Sequence, residues 1–398
     1  MTTQNTKMNK DHKEQTKLAH IGTAPNEYFG IVNPPIARAS TILYPDLAAY
    51  EDPSHKYRYG RMGNPLSEKF ETAMAEVENG FNAVTTPSGL SAITLALMSV
   101  LKASDHLLVV DTLYPPARDF CNEVLARFGV AVEYYDPRIG AGIETLIKPD
   151  TAAIYLESPG SGTFEVQDVP AIAKIAQGKN VKTIIDNTWS AGLLFKPLDH
   201  GVDYALQSCT KYVGGHSDIN MGVVVARSEE LYKPLKRTAL NRGDCAAAED
   251  LYLGLRGLRT IKLRLKQAGE NALKIASWLK KQKGVADVLY PALKHSPDHK
   301  LWKRDFTGAN GIFSMVMEPA DKAAIHAFVN ALELFPIGSS WGGYESLLQP
   351  QYLGKYRTAT KRPDGEGAIL RLQIGLEAPD DLIDDLAQAL DKFNKHVR

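Results

Sequence analysis

Short apolar runs alternate with helical patterns along the middle of this chain, and this alternation restricts the fold more than any other feature. Largely apolar runs cover 106–110, 152–156 and 181–185, and patterns with helical spacing cover 116–128 and 169–177. Such alternation is typical of parallel strands that lie side by side with helices on both faces. The chain is therefore predicted to be an α/β protein built on a mostly parallel sheet.

Length and composition predict more than one domain. The chain has 398 residues, of which 44% are hydrophobic and 23% charged, as in a globular protein with a large core. We predict an N-terminal arm over 1–62, a large domain over 63–258 and a smaller α/β C-terminal domain over 259–398. A long helical pattern over 246–283 joins the last two, and its internal glycines, Gly254 and Gly257, predict either a break or a point of close packing.

Charge and cysteine content exclude several classes of protein. The formal net charge is zero and no basic stripe is present, which argues against nucleic acid as a partner. Three distant cysteines form neither a disulfide framework nor a metal-ligand pattern, which favours a reducing cytoplasm and no metal. The polar first twenty residues predict a frayed arm without a secretory signal, and no later stretch has the apolar length of a membrane span.

The stretch 207–218 gives Lys211 an unusual setting. Hydroxyls of Ser208 and Thr210 flank it, and a glycine pair at 214–215 follows. Apolar runs on both sides predict a strand, a tight turn and another strand. A lysine beside hydroxyls that can donate to an anion suits covalent binding of pyridoxal phosphate, although taken alone a lysine on a surface loop is the commoner case.

Other polar groups are predicted to lie at the same edge of the sheet. A strand at 83–86, the turn at 87–91 and a helix over 92–101 make a possible anion site, because free N–H groups and the helix dipole converge there. Ligands of such sheets bind at the carboxyl ends of the strands. The residues at those ends are Asp111–Tyr114, Glu157–Ser161, Asp186–Trp189 and Ser208–Lys211.

Asp186 and Tyr114 each allow two interpretations. Asp186 ends an apolar strand, where it either caps a turn with Asn187 and Thr188 or faces a pyridine nitrogen and keeps it protonated. A pyridinium is the electron sink that carbanion chemistry needs. Tyr114 either stacks on a flat cofactor or is a core tyrosine with a satisfied hydroxyl.

The chain resembles the pyridoxal-phosphate enzymes of Cys/Met metabolism, the cystathionine β- and γ-lyase family. The resemblance extends over nearly the full length after the first twenty residues, and its motifs occur in family order. They are Tyr59–Arg61, Ser88–Leu90, Tyr114, Glu157–Ser161, Asp186–Trp189, Ser208–Asp218, Ser340–Ser346 and Arg371 within Ile369–Gly375.

This resemblance implies an aspartate aminotransferase-type large domain and roles for individual residues. Lys211 would bind the cofactor covalently and transfer protons, Asp186 would pair with the pyridine nitrogen, and Tyr114 would stack on the ring and assist proton transfer. The other implied cofactor contacts are Gly89, Leu90, Ser208 and Thr210 at the phosphate, Thr188 beside Asp186, and Tyr59 and Arg61 from a neighbouring subunit.

The resemblance also implies a substrate site and an oligomer. Arg371 would bind the substrate α-carboxylate in bidentate fashion, with Ser340, Trp341 and Tyr59 nearby, and lysine would be a poor replacement. Apolar neighbours of Arg371 disfavour the alternative of a surface arginine on an edge strand. A homotetramer of two dimers is implied, in which the arm over 1–62 contacts the neighbouring subunit and completes its active site.

Two loops favour β-elimination. Those at 158–161 and 340–344 resemble the loops of the β-lyases, whereas many γ-specific members carry an asparagine in the first loop and lack the tryptophan of the second. Pro116 stands where the methionine γ-lyases have a cysteine. We therefore predict a carbon–sulfur β-lyase that cleaves L-cystathionine, an amino-acid thioether, to L-homocysteine, pyruvate and ammonia in methionine biosynthesis. A γ-lyase, a γ-synthase or another thioether or cysteine lyase of the family remains an alternative.

Two other classes of protein are weighed against an enzyme of this family. A nucleotide-binding dehydrogenase would need Gly-x-Gly-x-x-Gly between the first strand and helix, and this pattern is missing from the sequence. A non-catalytic regulatory protein on the same fold would tolerate loss of Lys211, Asp186 or Arg371, yet all three are present. The enzyme is therefore the preferred interpretation, with the regulatory protein as the alternative.

Overall fold

Two β-sheets organise the computed structural model, which describes residues 12–360 and 367–397. The larger sheet is formed by β1 (Asn82–Thr86), β2 (His106–Val110), β3 (Ala131–Tyr135), β4 (Thr151–Glu157), β5 (Lys182–Asp186), β6 (Tyr204–Ser208) and β7 (Gly222–Ala226). Its strand order is β1-β7-β6-β5-β4-β2-β3, and only β7 runs antiparallel to its two neighbours. The predicted α/β fold with a mostly parallel sheet is confirmed.

The smaller sheet lies in the C-terminal part of the chain. Its strands are β8 (Val285–Leu289), β9 (Ile312–Met317), β10 (Leu347–Gln351) and β11 (Ile369–Gln373), all paired antiparallel in the order β10-β11-β9-β8. The apolar pattern did not predict β10, because two glutamines and Pro350 interrupt it. Proline is tolerated there because β10 is an edge strand. The domain boundaries after residues 62 and 258 stay predictions.

Helices surround both sheets. They are α1 (Glu14–His20), α2 (Leu47–Glu51), α3 (Pro65–Glu78), α4 (Gly89–Val100), α5 (Pro115–Asp119), α6 (Val169–Gly178), α7 (Glu229–Arg242), α8 (Ala248–Leu258), α9 (Ile261–Leu279), α10 (His299–Asp305), α11 (Lys322–Val329) and α12 (Pro379–His396). Within the described ranges, none of these helices is both long and apolar enough to cross a membrane.

Two predictions about helices are tested directly. The expectation of a frayed arm is wrong for residues 14–20, since Leu18 of α1 is buried and Glu14 pairs with Lys262. Residues 1–11 lie outside the described residues. The pattern over 246–283 is broken at residues 259 and 260, between α8 and α9, whereas Gly254 and Gly257 lie inside α8 as points of close packing.

Capping residues fix where α3 and α4 begin. The Asn64 side chain accepts hydrogen bonds from the N–H groups of Leu66 and Ser67, and the Ser67 hydroxyl accepts one from the Asn64 N–H. For α4, the Ser88 hydroxyl accepts a hydrogen bond from the Ser91 N–H at 3.1 Å. Such caps stabilise a helix by about 1 kcal/mol each. The cap at Ser88 places the start of α4 directly after β1, at the edge of the larger sheet.

Asp111, directly after β2, attaches a loop of the C-terminal part to this same edge. Its buried carboxylate accepts hydrogen bonds from the N–H groups of Thr358, Ala359 and Thr360 at 3.0, 3.1 and 2.8 Å. It also pairs with the buried guanidinium of Arg118 at 2.6 Å. This carboxylate holds residues 358–360 against the edge of the larger sheet, and an ion pair between Arg357 and Glu165 at 2.8 Å adds a second attachment of the same loop.

Replacing Asp111 by alanine is expected to lower the free energy of unfolding by about 3–5 kcal/mol, since the buried charge of Arg118 and three N–H groups would lose their acceptor. Denaturant unfolding followed by circular dichroism measures this change. The matched control, Asp384→Ala on the exposed side of α12, should change it by less than about 0.5 kcal/mol. A loss below about 1 kcal/mol for D111A would contradict the role given to this carboxylate.

Candidate active site

A cavity of about 220 Å³ lies where the carboxyl ends of β4, β5 and β6 meet the start of α4 and one loop of the C-terminal part. Its position is the one expected for ligands of a parallel sheet. The residues predicted for the site that line this cavity are Gly89, Leu90, Tyr114, Asp186, Thr188, Ser208, Thr210, Lys211, Trp341 and Arg371.

The remaining three predicted residues, Ser340, Tyr59 and Arg61, do not line the cavity. Ser340 contacts the site through Lys211, whose Nζ donates a hydrogen bond to the Ser340 hydroxyl at 2.7 Å. Tyr59 accepts a hydrogen bond from Ser40, and Arg61 donates one to the Leu240 carbonyl oxygen, both outside the cavity. The role expected of Tyr59 and Arg61 in a neighbouring subunit stays a prediction.

Lys211 lies in a tight turn after β6. Its N–H donates to the Ser208 carbonyl oxygen, and its own carbonyl oxygen accepts from the N–H of Gly215, which has a φ of 70° that glycine adopts without strain. Burial lowers the pKa of Lys211 to about 8, and the positive charge of Arg371 adds to this effect, while Asp186 opposes it. More of this amine is therefore unprotonated at neutral pH than for an ordinary lysine.

Asp186 ends β5, and its position fits both of the roles that the sequence allows, the local turn and the ligand contact. One carboxylate oxygen accepts hydrogen bonds from the Thr188 N–H at 2.9 Å and the Thr188 hydroxyl at 2.5 Å, which is the expected local turn. The same side chain lines the cavity. Burial raises the pKa of Asp186, although the bonds from Thr188 and the charge of Lys211 act against it. Across the described ranges, no side-chain nitrogen of Lys, Arg or His lies within 4.0 Å of this carboxylate, so a cationic group in the cavity would be a favourable partner.

The start of α4 and the end of β6 approach each other closely. A Cβ atom added to Gly89 would lie 2.5 Å from the Ser208 hydroxyl oxygen, so only glycine allows this approach. Thr210 lines the cavity beside them, and its hydroxyl is within 3.2 Å of the Met221 N–H. Free N–H groups and the dipole of a twelve-residue helix favour an anion at this point.

Arg371 lines the cavity and comes from the smaller sheet. It lies on β11, a central strand of the smaller sheet whose Leu370 and Leu372 are fully buried. Its guanidinium donates to the carbonyl oxygens of Ser339 and Ser340, both at 3.2 Å. Burial lowers the pKa of Arg371 to about 10, so the side chain is still cationic at neutral pH. It is a fixed positive group that could bind a carboxylate.

Tyr114 follows β2 and forms one wall of the cavity. Its side chain is 44% exposed, unlike a core tyrosine, and its N–H donates to the Glu157 carboxylate at 2.6 Å. Burial raises the pKa of Tyr114, and the negative charges of Glu157 and Asp186 add to the effect. The ring is therefore available to contact a flat ligand.

Glu157 was predicted only as one of the polar residues at the strand ends, without a role of its own, and its carboxyl group lines the cavity. Burial raises the pKa of Glu157, and the charge of Asp186 adds to this effect, while hydrogen bonds from Ser161 and Tyr114 act against it. The strand order supplies what the sequence pattern did not. Glu157 and Asp186 end neighbouring parallel strands, so both carboxyl groups must reach the same edge of the sheet.

The family described as Cys/Met metabolism PLP-dependent enzyme matches residues 15–391. The chain belongs to this family. It is 39% identical to the cystathionine beta-lyase MetC of Escherichia coli K12, over 94% of this chain and 98% of that protein. It is also 38% identical to the L-alanine/L-glutamate racemase of Wolbachia pipientis wMel, over 95% of this chain and 97% of that protein. The solved structure of a cystathionine gamma synthase from Xanthomonas oryzae pv. oryzae matches with a TM-score of 0.90 and 32% identity, over 97% of this chain and 99% of that one.

The cavity has the features that the cofactor of this family requires. The start of α4, with the hydroxyls of Ser208 and Thr210, could hold a phosphate. Asp186 has no cationic protein partner within the described ranges and could pair with a pyridinium. Lys211 has the lowered pKa that an amine needs to attack an aldehyde. The residues of this chain therefore fit pyridoxal phosphate.

Proposed function

We propose that this protein is a pyridoxal-phosphate-dependent carbon–sulfur β-lyase that converts L-cystathionine and water to L-homocysteine, pyruvate and ammonia in methionine biosynthesis. One observation carries the proposal. A single cavity combines an amine of lowered pKa at Lys211, a carboxylate at Asp186 that has no cationic partner among the described residues, and the half-buried guanidinium of Arg371. The identity to the E. coli cystathionine beta-lyase over nearly the whole chain supports the choice of substrate.

The bound cofactor would supply an electron sink for negative charge at the substrate Cα. Lys211 would remove the Cα proton and return a proton to the sulfur that leaves, and its bond to the Ser340 hydroxyl orients the amine. Asp186 would hold the proton on the pyridine nitrogen. Arg371 would bind the α-carboxylate, because its bonds to two carbonyl oxygens hold the guanidinium in place before substrate arrives. Tyr114 would cover the ring and help to move protons on the substrate amine.

A shared active site is part of this proposal. Large apolar side chains of the described part of the arm are exposed, among them Phe29, Leu43, Leu47 and Tyr50. Such surfaces mark contacts with other chains, which supports a homo-oligomer, a tetramer of two dimers, in which Tyr59 and Arg61 reach the neighbouring cofactor. The three cysteines are free thiols, which supports a cytoplasmic location.

Racemisation of small amino acids is a second candidate. The similarity to the Wolbachia racemase favours it, and so does the presence of two proton-transferring groups, Lys211 and Tyr114, in one cavity. Removal of the Cα proton by one group and its return by the other would invert the configuration. A γ-lyase or γ-synthase remains a further alternative within the family.

One product assay separates these activities. The purified protein, loaded with pyridoxal phosphate, is incubated with L-cystathionine and, in parallel, with L-alanine or L-glutamate. Pyruvate with homocysteine is expected. The combination of 2-oxobutyrate with cysteine would move the protein to the γ-lyases, and a D-amino acid without thioether cleavage would replace the lyase by a racemase.

The lowered pKa of Lys211 predicts how cofactor binding depends on pH. Only the unprotonated amine attacks the aldehyde, so the rate at which cofactor-free protein binds pyridoxal phosphate should rise with pH, with its midpoint at about 8, and then level off. Stopped-flow absorbance between pH 6 and pH 10 measures this rate. A midpoint near the pKa of an ordinary lysine, about 10.4, would contradict the environment described for Lys211.

A further inference from the structure

Two carboxyl groups lie side by side in the floor of the cavity. Glu157 and Asp186 are register partners on the parallel strands β4 and β5, and both line the cavity. Neither has a side-chain nitrogen of Lys, Arg or His within 4.0 Å in the part of the chain that the structure describes. Two adjacent buried carboxylates without a cation between them do not both ionise readily. One of the pair is therefore expected to hold a proton.

The hydrogen bonds of Glu157 fit a neutral carboxyl group. Its Oε2 accepts from the Tyr114 N–H at 2.6 Å, and its Oε1 lies 2.5 Å from the Ser161 hydroxyl oxygen. A hydroxyl can accept as well as donate, so a protonated Glu157 can donate to Ser161 and keep its bond to Tyr114. Asp186 accepts hydrogen bonds from the hydroxyl and N–H of Thr188 on one oxygen, and unlike Glu157 it also has the charge of Lys211 acting in favour of its ionised form.

The titratable groups around the pair also favour a neutral Glu157 and an ionised Asp186. The titratable groups that interact electrostatically with Glu157 are Asp186 on β5, Tyr114 after β2 and Tyr155 on β4. None of these three groups is a cation. The charge of Lys211 acts on Asp186 and favours its ionised form. Burial and the charge of Asp186 raise the pKa of Glu157, and they outweigh the hydrogen bonds from Ser161 and Tyr114, which act in the opposite direction.

We propose that Glu157 is a positioning residue that works in its protonated form. It connects the segment that carries Tyr114 to the loop that carries Ser161, and it leaves Asp186 as the one ionised carboxylate beneath the cofactor. The proposal rests on the proposed function only for the identity of that cofactor. The Ser161 N–H also donates to the Thr112 carbonyl oxygen at 2.7 Å, so a second bond joins the same loop to the segment that carries Tyr114.

A neutral Glu157 makes glutamine its functional equivalent. The amide of Glu157→Gln can donate to the Ser161 hydroxyl and accept from the Tyr114 N–H, as a protonated carboxyl group does. Glu157→Ala removes both bonds. We expect E157A to lower kcat by about 10- to 100-fold by displacing Tyr114 and the loop, and E157Q to restore most of this loss. An E157Q protein as impaired as E157A would show that an ionised carboxylate is required and would overturn the proposal.

Infrared spectroscopy of the cofactor-free protein locates the proton without any activity. Glu78 is also buried and its pKa is raised by burial to about 7, so it contributes a carboxylic-acid band to the spectrum of every variant and cancels in difference spectra. At pH 7 we expect the unaltered-minus-E157Q difference spectrum to contain the carbonyl band of a neutral carboxylic acid. A difference spectrum without this band would show that Glu157 is ionised and would overturn the proposal. Since neither cofactor nor substrate is added, failure of the proposed lyase activity would not affect this result.

Discussion

Replacing Lys211 by alanine is expected to lower kcat for cystathionine cleavage by at least about 10³-fold and to abolish covalent binding of the cofactor. Lys211 is the one side-chain amine that lines the cavity in the described ranges, and burial and Arg371 lower its pKa to about 8. Alanine removes both the attachment point and the base that is proposed to take the Cα proton. Steady-state assays and the absorbance spectrum of the loaded protein measure the two losses.

Lys303→Ala is the matched control for K211A, since Lys303 is an exposed lysine on α10, remote from the cavity. It should leave kcat and the spectrum unchanged. Far-ultraviolet circular dichroism should show that both variants fold. A K211A protein that folds and keeps more than about a tenth of the activity would contradict the assignment of Lys211 as attachment point and base.

Asp186→Asn is expected to lower kcat by about 30- to 3000-fold, which corresponds to about 2–5 kcal/mol for the loss of one partner of a buried charge pair. Asparagine keeps an oxygen that can accept the two bonds from Thr188, so the local turn should persist. The change therefore removes the charge proposed to hold a proton on the pyridine nitrogen and little else. Steady-state kinetics give kcat, and equilibrium dialysis gives the affinity for pyridoxal phosphate.

An exposed aspartate serves as the control for D186N. Asp384→Asn on α12 should change neither kcat nor cofactor affinity. Addition of pyridoxal phosphate in excess should not restore the activity of D186N, because the proposed defect lies in stabilising charge at Cα rather than in binding alone. Full recovery at high cofactor concentration would reduce the role of Asp186 to cofactor binding.

The larger sheet could be predicted because its central strands are buried on both faces. Residues 106–110 form a strand with the predicted bounds, and its apolar run can be recognised without knowledge of any distant partner. The strand β10 could not be predicted, since an edge strand tolerates proline and need not alternate. The loop held by Asp111 was equally invisible, because its partners are 247 to 249 positions away.

Some features of the cavity could likewise be predicted from the sequence, and others could not. Lys211 and Asp186 could be predicted to lie near each other, because they follow strands that end at one edge of a parallel sheet. The contact of Arg371 with the carbonyl oxygens of Ser339 and Ser340 depends on how the smaller sheet packs, which spacing along the chain does not give. The pairing of Glu157 with Asp186 needs the strand order, in which β4 and β5 are neighbours.

The central claim is that Lys211 and Asp186 hold one cofactor between them. The most direct measurement is hydride reduction of the protein loaded with pyridoxal phosphate, followed by proteolysis and mass spectrometry of the peptides. The structure predicts one stably modified lysine, Lys211, and loss of the visible absorbance on reduction. A modification on another lysine, or a loaded protein that hydride leaves unmodified, would contradict it.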